Sequence, residues 1–317
     1  MDRNARIYVA GTQMLIGAAI LRHLKREGYE NVFSDPDGDN PLRDANTVDK
    51  FFVEVKPQFV FLAAGKSGGI NANQKYPAEL MLDNLVIETN VINSAHRHGV
   101  EKLLYLASSC SYPRLAAQPI SEAALLTGLL EPTNQAYAVA KIAGIELCRA
   151  FCQQYGANFI AAVPANAFGP EDDTDIEDAH VIPALMMRML DARAHDQPTV
   201  NIWGTGSPQR EFIFAEDLAD ACEFVMQHYD DSQPINLGSG SSLSIRALAE
   251  QIQEIVGYRG ELFFDTSKPD GMPLKMLDSS KLLKLGWQQK TSFTDALKAT
   301  FEWVVEITTK RETTHVR

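Results

Sequence analysis

Short apolar runs alternate with amphipathic stretches through the first half of the chain. Residues 6–10 (RIYVA), 31–34, 58–63 (QFVFLA), 102–107 (KLLYLA) and 158–163 each have the length and composition of a buried strand. Between them, apolar side chains return at helical spacing: Leu15, Ile16, Ile20, Leu21 and Leu24 after the first run, then across 81–96 and 134–155. Strands alternating with helices predict βαβ units, and so an α/β fold with a doubly wound parallel sheet covered on both faces. After Pro170 the pattern changes. Residues 171–178 are polar and acidic, and helical spacing returns at 185–190, 215–227, 245–256 and 294–305. WGTGSPQREFIF opens with turn residues and ends as a strand, 235–237 is a brief strand, and 268–277 reads as a loop. The expected organisation is a first domain over 1–170, rejoined by a return segment at about 212–240. A smaller α/β lobe over 171–211 and 241–317 would bind substrate, and the polar end of the chain is expected to fray.

Composition narrows the functional classes. The 317 residues carry 29 basic and 41 acidic side chains, a net charge of −12, which disfavours a nucleic-acid partner. No run reaches the roughly 20 apolar residues of a membrane span, so no membrane partner is expected. The first residues enter a strand at once and leave no room for an export signal, which points to the cytoplasm. Four cysteines, at 110, 148, 152 and 222, show no C-x-x-C spacing, and no metal site is expected. Cys148 and Cys152, four apart, read as one packed helix face.

The first strand feeds Gly11-Thr12-Gln13-Met14-Leu15-Ile16-Gly17 and then a helix, the Rossmann-like context for a dinucleotide. Backbone N–H groups and the helix dipole at such a turn favour a pyrophosphate, although a plain strand-to-helix turn uses the same glycines. Asp35 follows the second strand. An acid there accepts from a ribose 2′-hydroxyl and repels a 2′-phosphate, which leans towards NAD(H); the alternative is an ordinary turn residue. Ser108 and Ser109 follow the fourth strand at the edge where ligands bind. Tyr137 and Lys141 lie four apart on one helical face. A serine that bonds a carbonyl oxygen, a phenol that passes a proton and an ammonium that lowers the phenol's pKa suit ketone/alcohol hydride transfer.

The order of these parts resembles the extended short-chain dehydrogenase/reductases. SSCSYP (108–113), LEPTNQAYAVAKIAGIELC (130–148), HVIPAL (180–185), WGTGSPQREF (203–212) and KPDGMPLKMLD (268–278) resemble the GDP-L-fucose synthase family, and the likeness runs from about residue 6 to about residue 305. The resemblance implies an epimerase/reductase acting on GDP-4-keto-6-deoxy-mannose with NADP(H). Ser108, Tyr137 and Lys141 would be the reductase triad, with Cys110 and His180 the epimerising base and acid. Asn166, Arg188, Trp203, Arg210 and Lys275, together with Ser108, Ser109, His180 and Val181, would surround the GDP-sugar. Gly11, Gln13, Met14, Leu15, Ile16, Gly17, Asp35, Ala63, Ala64, Tyr137, Lys141, Pro164 and Asn166 would line the cofactor. The superfamily also implies a homodimer formed through helices of the first domain. The chain departs from the family at Met14, where a glycine is usual, at Gln13 and Leu274, where basic residues are common, and in lacking an arginine after the second strand. These departures keep two other readings open: a sister NAD(H)-dependent epimerase or 4-ketosugar reductase on another GDP-sugar, and a non-catalytic nucleotide-sugar sensor.

Overall fold

The computed structural model describes residues 1–172, 180–268 and 270–315. The predicted acidic stretch falls mostly outside them. Six parallel strands form the main sheet in the order β2-β1-β3-β4-β5-β9. They are β1 (Ile7–Ala10), β2 (Val32–Phe33), β3 (Phe59–Leu62), β4 (Lys102–Leu106), β5 (Phe159–Pro164) and, after an excursion into the second lobe, β9 (Ile235–Leu237). β1 and β4 are buried along their whole length, as a sheet covered on both faces requires. The covering helices are α1 (Leu15–Arg26), α2 (Ala45–Val55), α3 (Ile70–Lys75), α4 (Pro77–Arg97), α5 (Gln135–Tyr155) and, from the returning segment, α7 (Ala215–His228). α4 packs on α5 and α1 on α7. The chain runs from β1 outward to β2 and then crosses to β3 on β1's other side. That reversal opens a crevice at the carboxyl ends of β1 and β3, where such sheets bind ligands.

β6 (Asn166–Phe168) follows β5 after one residue but pairs with β8 (Gln209–Phe214), so the chain steps from one sheet into the other at Ala165. β8 also pairs with β10 (Ser242–Ser244) and β12 (Leu274–Lys275), and β7 (Thr199–Trp203) pairs with β11 (Glu261–Asp265). α6 (Val181–Ala194), α8 (Ile245–Val256) and α10 (Phe293–His315) enclose the second core, and α9 (Ser280–Leu285) lies beside β9. β8 serves both cores: Ile213 enters the first, and Phe212 and Phe214 enter the second. This is the period-two alternation of a strand between two apolar layers.

The expected boundaries need one correction. Leu277, Leu282 and Trp287 pack into the first core, so the final segment is not wholly part of the substrate lobe. Towards the end of the chain, α10 runs to His315. The Glu211 carboxylate is buried among strand ends and accepts from the N–H of Leu277 (2.7 Å) and of Gly240 (2.8 Å). Cys148 and Cys152 do share one face of α5, the first buried and the second donating to the Phe159 carbonyl. No described helix is long and apolar enough to cross a membrane.

The start of α1 allows no side chain at residue 17. A Cβ there would lie 2.1 Å from the Gly11 carbonyl oxygen, a backbone atom that cannot swing away. Gly17→Ala should cost about 1–3 kcal/mol of unfolding free energy, read as a lowered denaturant midpoint. An unchanged midpoint would show that the loop yields without cost.

Candidate active site

The glycine loop is shaped from beneath by Asp35. Its carboxylate accepts from the Gly11 N–H (2.9 Å), the Thr12 N–H (3.1 Å), the Thr12 hydroxyl and the Tyr8 hydroxyl (3.0 Å). Burial raises the Asp35 pKa, and these hydrogen bonds pull against that rise. Asp35 therefore supports the glycine loop from beneath, a role its position after the second strand did not reveal. Met14 causes no distortion. It has ordinary extended backbone angles (φ −112°, ψ 153°) and its side chain is exposed, so this turn does not need a second glycine. No side chain caps α1 at Met14, which leaves the N–H groups of Leu15, Ile16 and Gly17 at an open helix start. This arrangement fits a dinucleotide's pyrophosphate. Ala63 and Ala64 follow β3 beside this loop, and a Cβ on Gly11 would strike the Ala64 backbone at 2.6 Å. Gln13 lies in the same loop. Arg43, the first arginine beyond β2, is paired with Asp83 at 2.8 Å.

Beyond β4, Ser108 caps a short 3-10 turn, Ser109–Ser111, and its hydroxyl accepts from the Cys110 N–H at 3.2 Å. Ser109 is buried. The Ser108 side chain also faces Tyr137 of α5. The sulfur of Cys110 receives Asn134 Nδ2 at 3.1 Å and Lys275 Nζ at 3.6 Å. Ser108, Cys110, Tyr137, Asn134 and Lys275 therefore form one contiguous group, although Lys275 comes from β12 of the second lobe. Asn134 was not among the expected residues. Its signal was available: it precedes Tyr137 by three positions, less than one helical turn.

Lys141 is placed differently from the expectation. Its ammonium lies 2.9 Å from Glu88 Oε1 and 3.4 Å from the Leu106 carbonyl, with both side chains almost fully buried. The Tyr137 phenol is pushed well above its ordinary value. Burial is the main cause, followed by charge on Cys110 and on Glu88, with the Ser108 hydrogen bond opposing. The direction is opposite to the expected lowering, and Lys141 lies against Glu88.

Arg210 lies opposite Lys275 on the neighbouring parallel strand, so both side chains leave the same face. Its guanidinium donates to the carbonyls of Gln209 (2.8 Å) and Met272 (2.6 Å). No described carboxylate pairs with it, and burial lowers its pKa. His180 stands at the start of α6 with Nδ1 3.0 Å from Asp172 Oδ1, followed by Val181, with Arg188 further along the helix. Pro164 ends β5. Asn166 opens β6 and donates to the Glu211 carbonyl at 2.8 Å. Trp203 is not drawn into the group; its ring is half-exposed under the Lys268 ammonium.

Residues 7–238 match the NAD dependent epimerase/dehydratase family. The chain belongs to that family. Within it, the chain is 48% identical over 305 residues to GDP-L-fucose synthase 1 of Arabidopsis thaliana, covering 96% of this chain and 94% of the relative. It is 43% identical over 310 residues to GDP-L-fucose synthase of Escherichia coli K12, covering 95% and 97%. A GDP-L-fucose synthetase from Naegleria fowleri, solved with NADP bound, superposes with a TM-score of 0.87 at 29% identity, covering 96% of this chain and 95% of that one. The family's α/β scaffold is the six-stranded sheet described above.

A phenol with a raised folded-state pKa keeps its proton while the unfolded chain would ionise, so its contribution to stability is present at neutral pH and declines once pH passes about 10. In ligand-free protein, a phenolate absorbance titration of wild type minus Tyr137→Phe should show no Tyr137 signal by about pH 10. A phenolate near neutral pH would contradict the neutral, buried phenol.

Proposed function

We propose that the protein converts GDP-4-keto-6-deoxy-D-mannose to GDP-L-fucose, epimerising C3 and C5 and then reducing C4 with NADP(H). The observation that carries this reading is the contact group itself: a thiol, a neutral phenol and a serine hydroxyl within one cluster, where a plain reductase needs only the last two. The relatives named GDP-L-fucose synthase and the NADP-bound neighbour support it.

Each residue then has a chemical task. A C4 ketone acidifies the hydrogens on C3 and C5. Cys110 takes one of these protons onto sulfur, which the Asn134 and Lys275 donors hold in place. His180, oriented by Asp172, returns a proton to the opposite face of the ring. Ser108 and the neutral Tyr137 donate to the enolate oxygen as its charge grows. In the last step Tyr137 gives its proton to O4 and C4 becomes an alcohol carbon. Leu15, Ile16 and Gly17 hold the dinucleotide pyrophosphate, and the dinucleotide when bound supplies the hydride. Arg210, with no carboxylate partner, is free to fork onto the sugar's diphosphate, with Arg188 also contributing.

The NADP(H) assignment follows the relatives. The case for NAD(H) rests on Asp35 after β2, on the uncharged Gln13 and on Arg43, which is committed to Asp83. Absorbance loss with the keto sugar and either NADPH or NADH decides both the function and the cofactor. No oxidation of either cofactor, combined with no deuterium uptake at C3 or C5, would overturn the reading. Tyr137→Phe should lower the reduction rate by about 100-fold or more. Lys275→Met should slow deuterium uptake at C3 and C5 more than it slows reduction of a sugar supplied already epimerised. Equal loss in both would place Lys275 on substrate binding alone.

A further inference from the structure

Asn236 lies in β9, at the edge of the main sheet, with 0% of its surface exposed. A buried carboxamide is costly unless its polar atoms are paired. Here both ends are paired. Oδ1 accepts from the Tyr112 hydroxyl at 2.6 Å, and Nδ2 donates to the carbonyls of Ile120 (2.9 Å) and Asp278 (3.1 Å). These partners belong to two stretches of chain. Tyr112 and Ile120 follow Cys110 by two and ten residues, and Asp278 follows Lys275 by three. The two stretches also meet directly. The Ile120 N–H donates to the Met276 carbonyl and the Asp278 N–H to the Ile120 carbonyl, both at 2.8 Å. The backbone N–H of Asn236 is already taken by Glu122 at 3.1 Å, so the side chain is not needed to close the sheet edge. An apolar side chain in place of the amide and its phenol partner would fill this interior at little cost.

Resting on the reading of Cys110 above, we propose that Asn236 is a positioning residue for epimerisation. Its carboxamide fixes the stretch bearing Cys110 against the stretch bearing Lys275, and so sets the contact between thiol and ammonium. Each arm is short. Tyr112, itself buried, closes the Ser109–Ser111 turn that carries Cys110. Asp278 ends the run that begins at Lys275 in β12 and is gripped at Leu277 by Glu211 of β8. Glu211 ties that run to the strands of the second sheet; Asn236 ties it to the turn of the thiol. The 3.6 Å between Lys275 Nζ and the Cys110 sulfur is the joint result. A misplacement of about 1 Å at a reacting group can cost about 100-fold in rate. Reduction draws on neither arm, because Ser108 follows β4 directly and Tyr137 is carried by α5.

The first arm of the test uses ligand-free protein. Alkylation by iodoacetamide is followed on the Cys110 peptide by mass spectrometry. An ammonium beside a thiol speeds this reaction, so Lys275→Met should slow it by about threefold or more. Tyr112→Phe removes one hydroxyl and leaves Asn236 Oδ1 unpaired. In that background Lys275→Met should change the rate by less than about 1.5-fold, because the contact is already loosened. Asn236→Ala should behave in the same way, and Tyr112→Phe carries the test if Asn236→Ala does not fold. The second arm uses the keto sugar. Tyr112→Phe should slow deuterium uptake at C3 and C5 by about tenfold, while kcat for reducing an already epimerised sugar stays within about threefold. Equal effects of Lys275→Met in both backgrounds, including none in either, would overturn the proposal and leave Asn236 a packing residue. So would folded variants in which uptake and reduction fall together. Absence of uptake in the wild-type protein, with the alkylation coupling intact, would instead overturn only the choice of substrate.

Discussion

The arrangement depends on one buried carboxylate at the junction of the lobes. Glu211 accepts from the backbone of Leu277, just after β12, and from Gly240, between β9 and β10. Burial pushes its pKa up, and the surrounding N–H donors oppose that rise. Such a group is tolerated only when its acceptors are filled. Gly238 is needed for the same reason: a Cβ there would lie 2.4 Å from the Glu211 carboxylate. This knot fixes β12 beside β8, and Lys275 on β12 is thereby held against Cys110. It acts together with the backbone bonds from Ile120 to the Met276 carbonyl and from Asp278 to the Ile120 carbonyl, which tie the same segment to the first lobe.

Two lysines illustrate how a neighbour decides what a charge does. Lys141 lies on a carboxylate, Glu88, and the two side chains are buried together. Lys275 lies on a sulfur and has no described carboxylate partner, so its charge remains available to that sulfur and to an anionic ligand. Arg210, across the strand pair, is in the same condition, donating only to carbonyls. The second lobe thus presents unbalanced positive charge toward the first. This fits a diphosphate in a protein whose overall charge is strongly negative.

The scaffold was legible because its signals are local. Apolar runs set the strands, and helix 245–256 was read to the residue. The serine and the tyrosine were legible for the same reason, since a strand end and a helical spacing place them. What escaped reading was decided by partners distant in sequence. Asp35 has the right position for a ribose reader, and the structure adds Tyr8, inside β1, and the loop N–H groups as its partners. Lys141 has the expected spacing from Tyr137, and Glu88, 53 residues earlier, is its buried partner. Neither carboxylate stands out in composition, and a glutamate on an amphipathic helix ordinarily faces water.

β8 gives Ile213 to one hydrophobic interior and Phe212 and Phe214 to the other. A strand that is common property of two interiors cannot leave one without opening the other. The lobes are therefore a single cooperative body rather than two modules in series. Swapping the sugar-facing part for a relative's, to change what is bound, would have to carry the shared strand along with both of its faces.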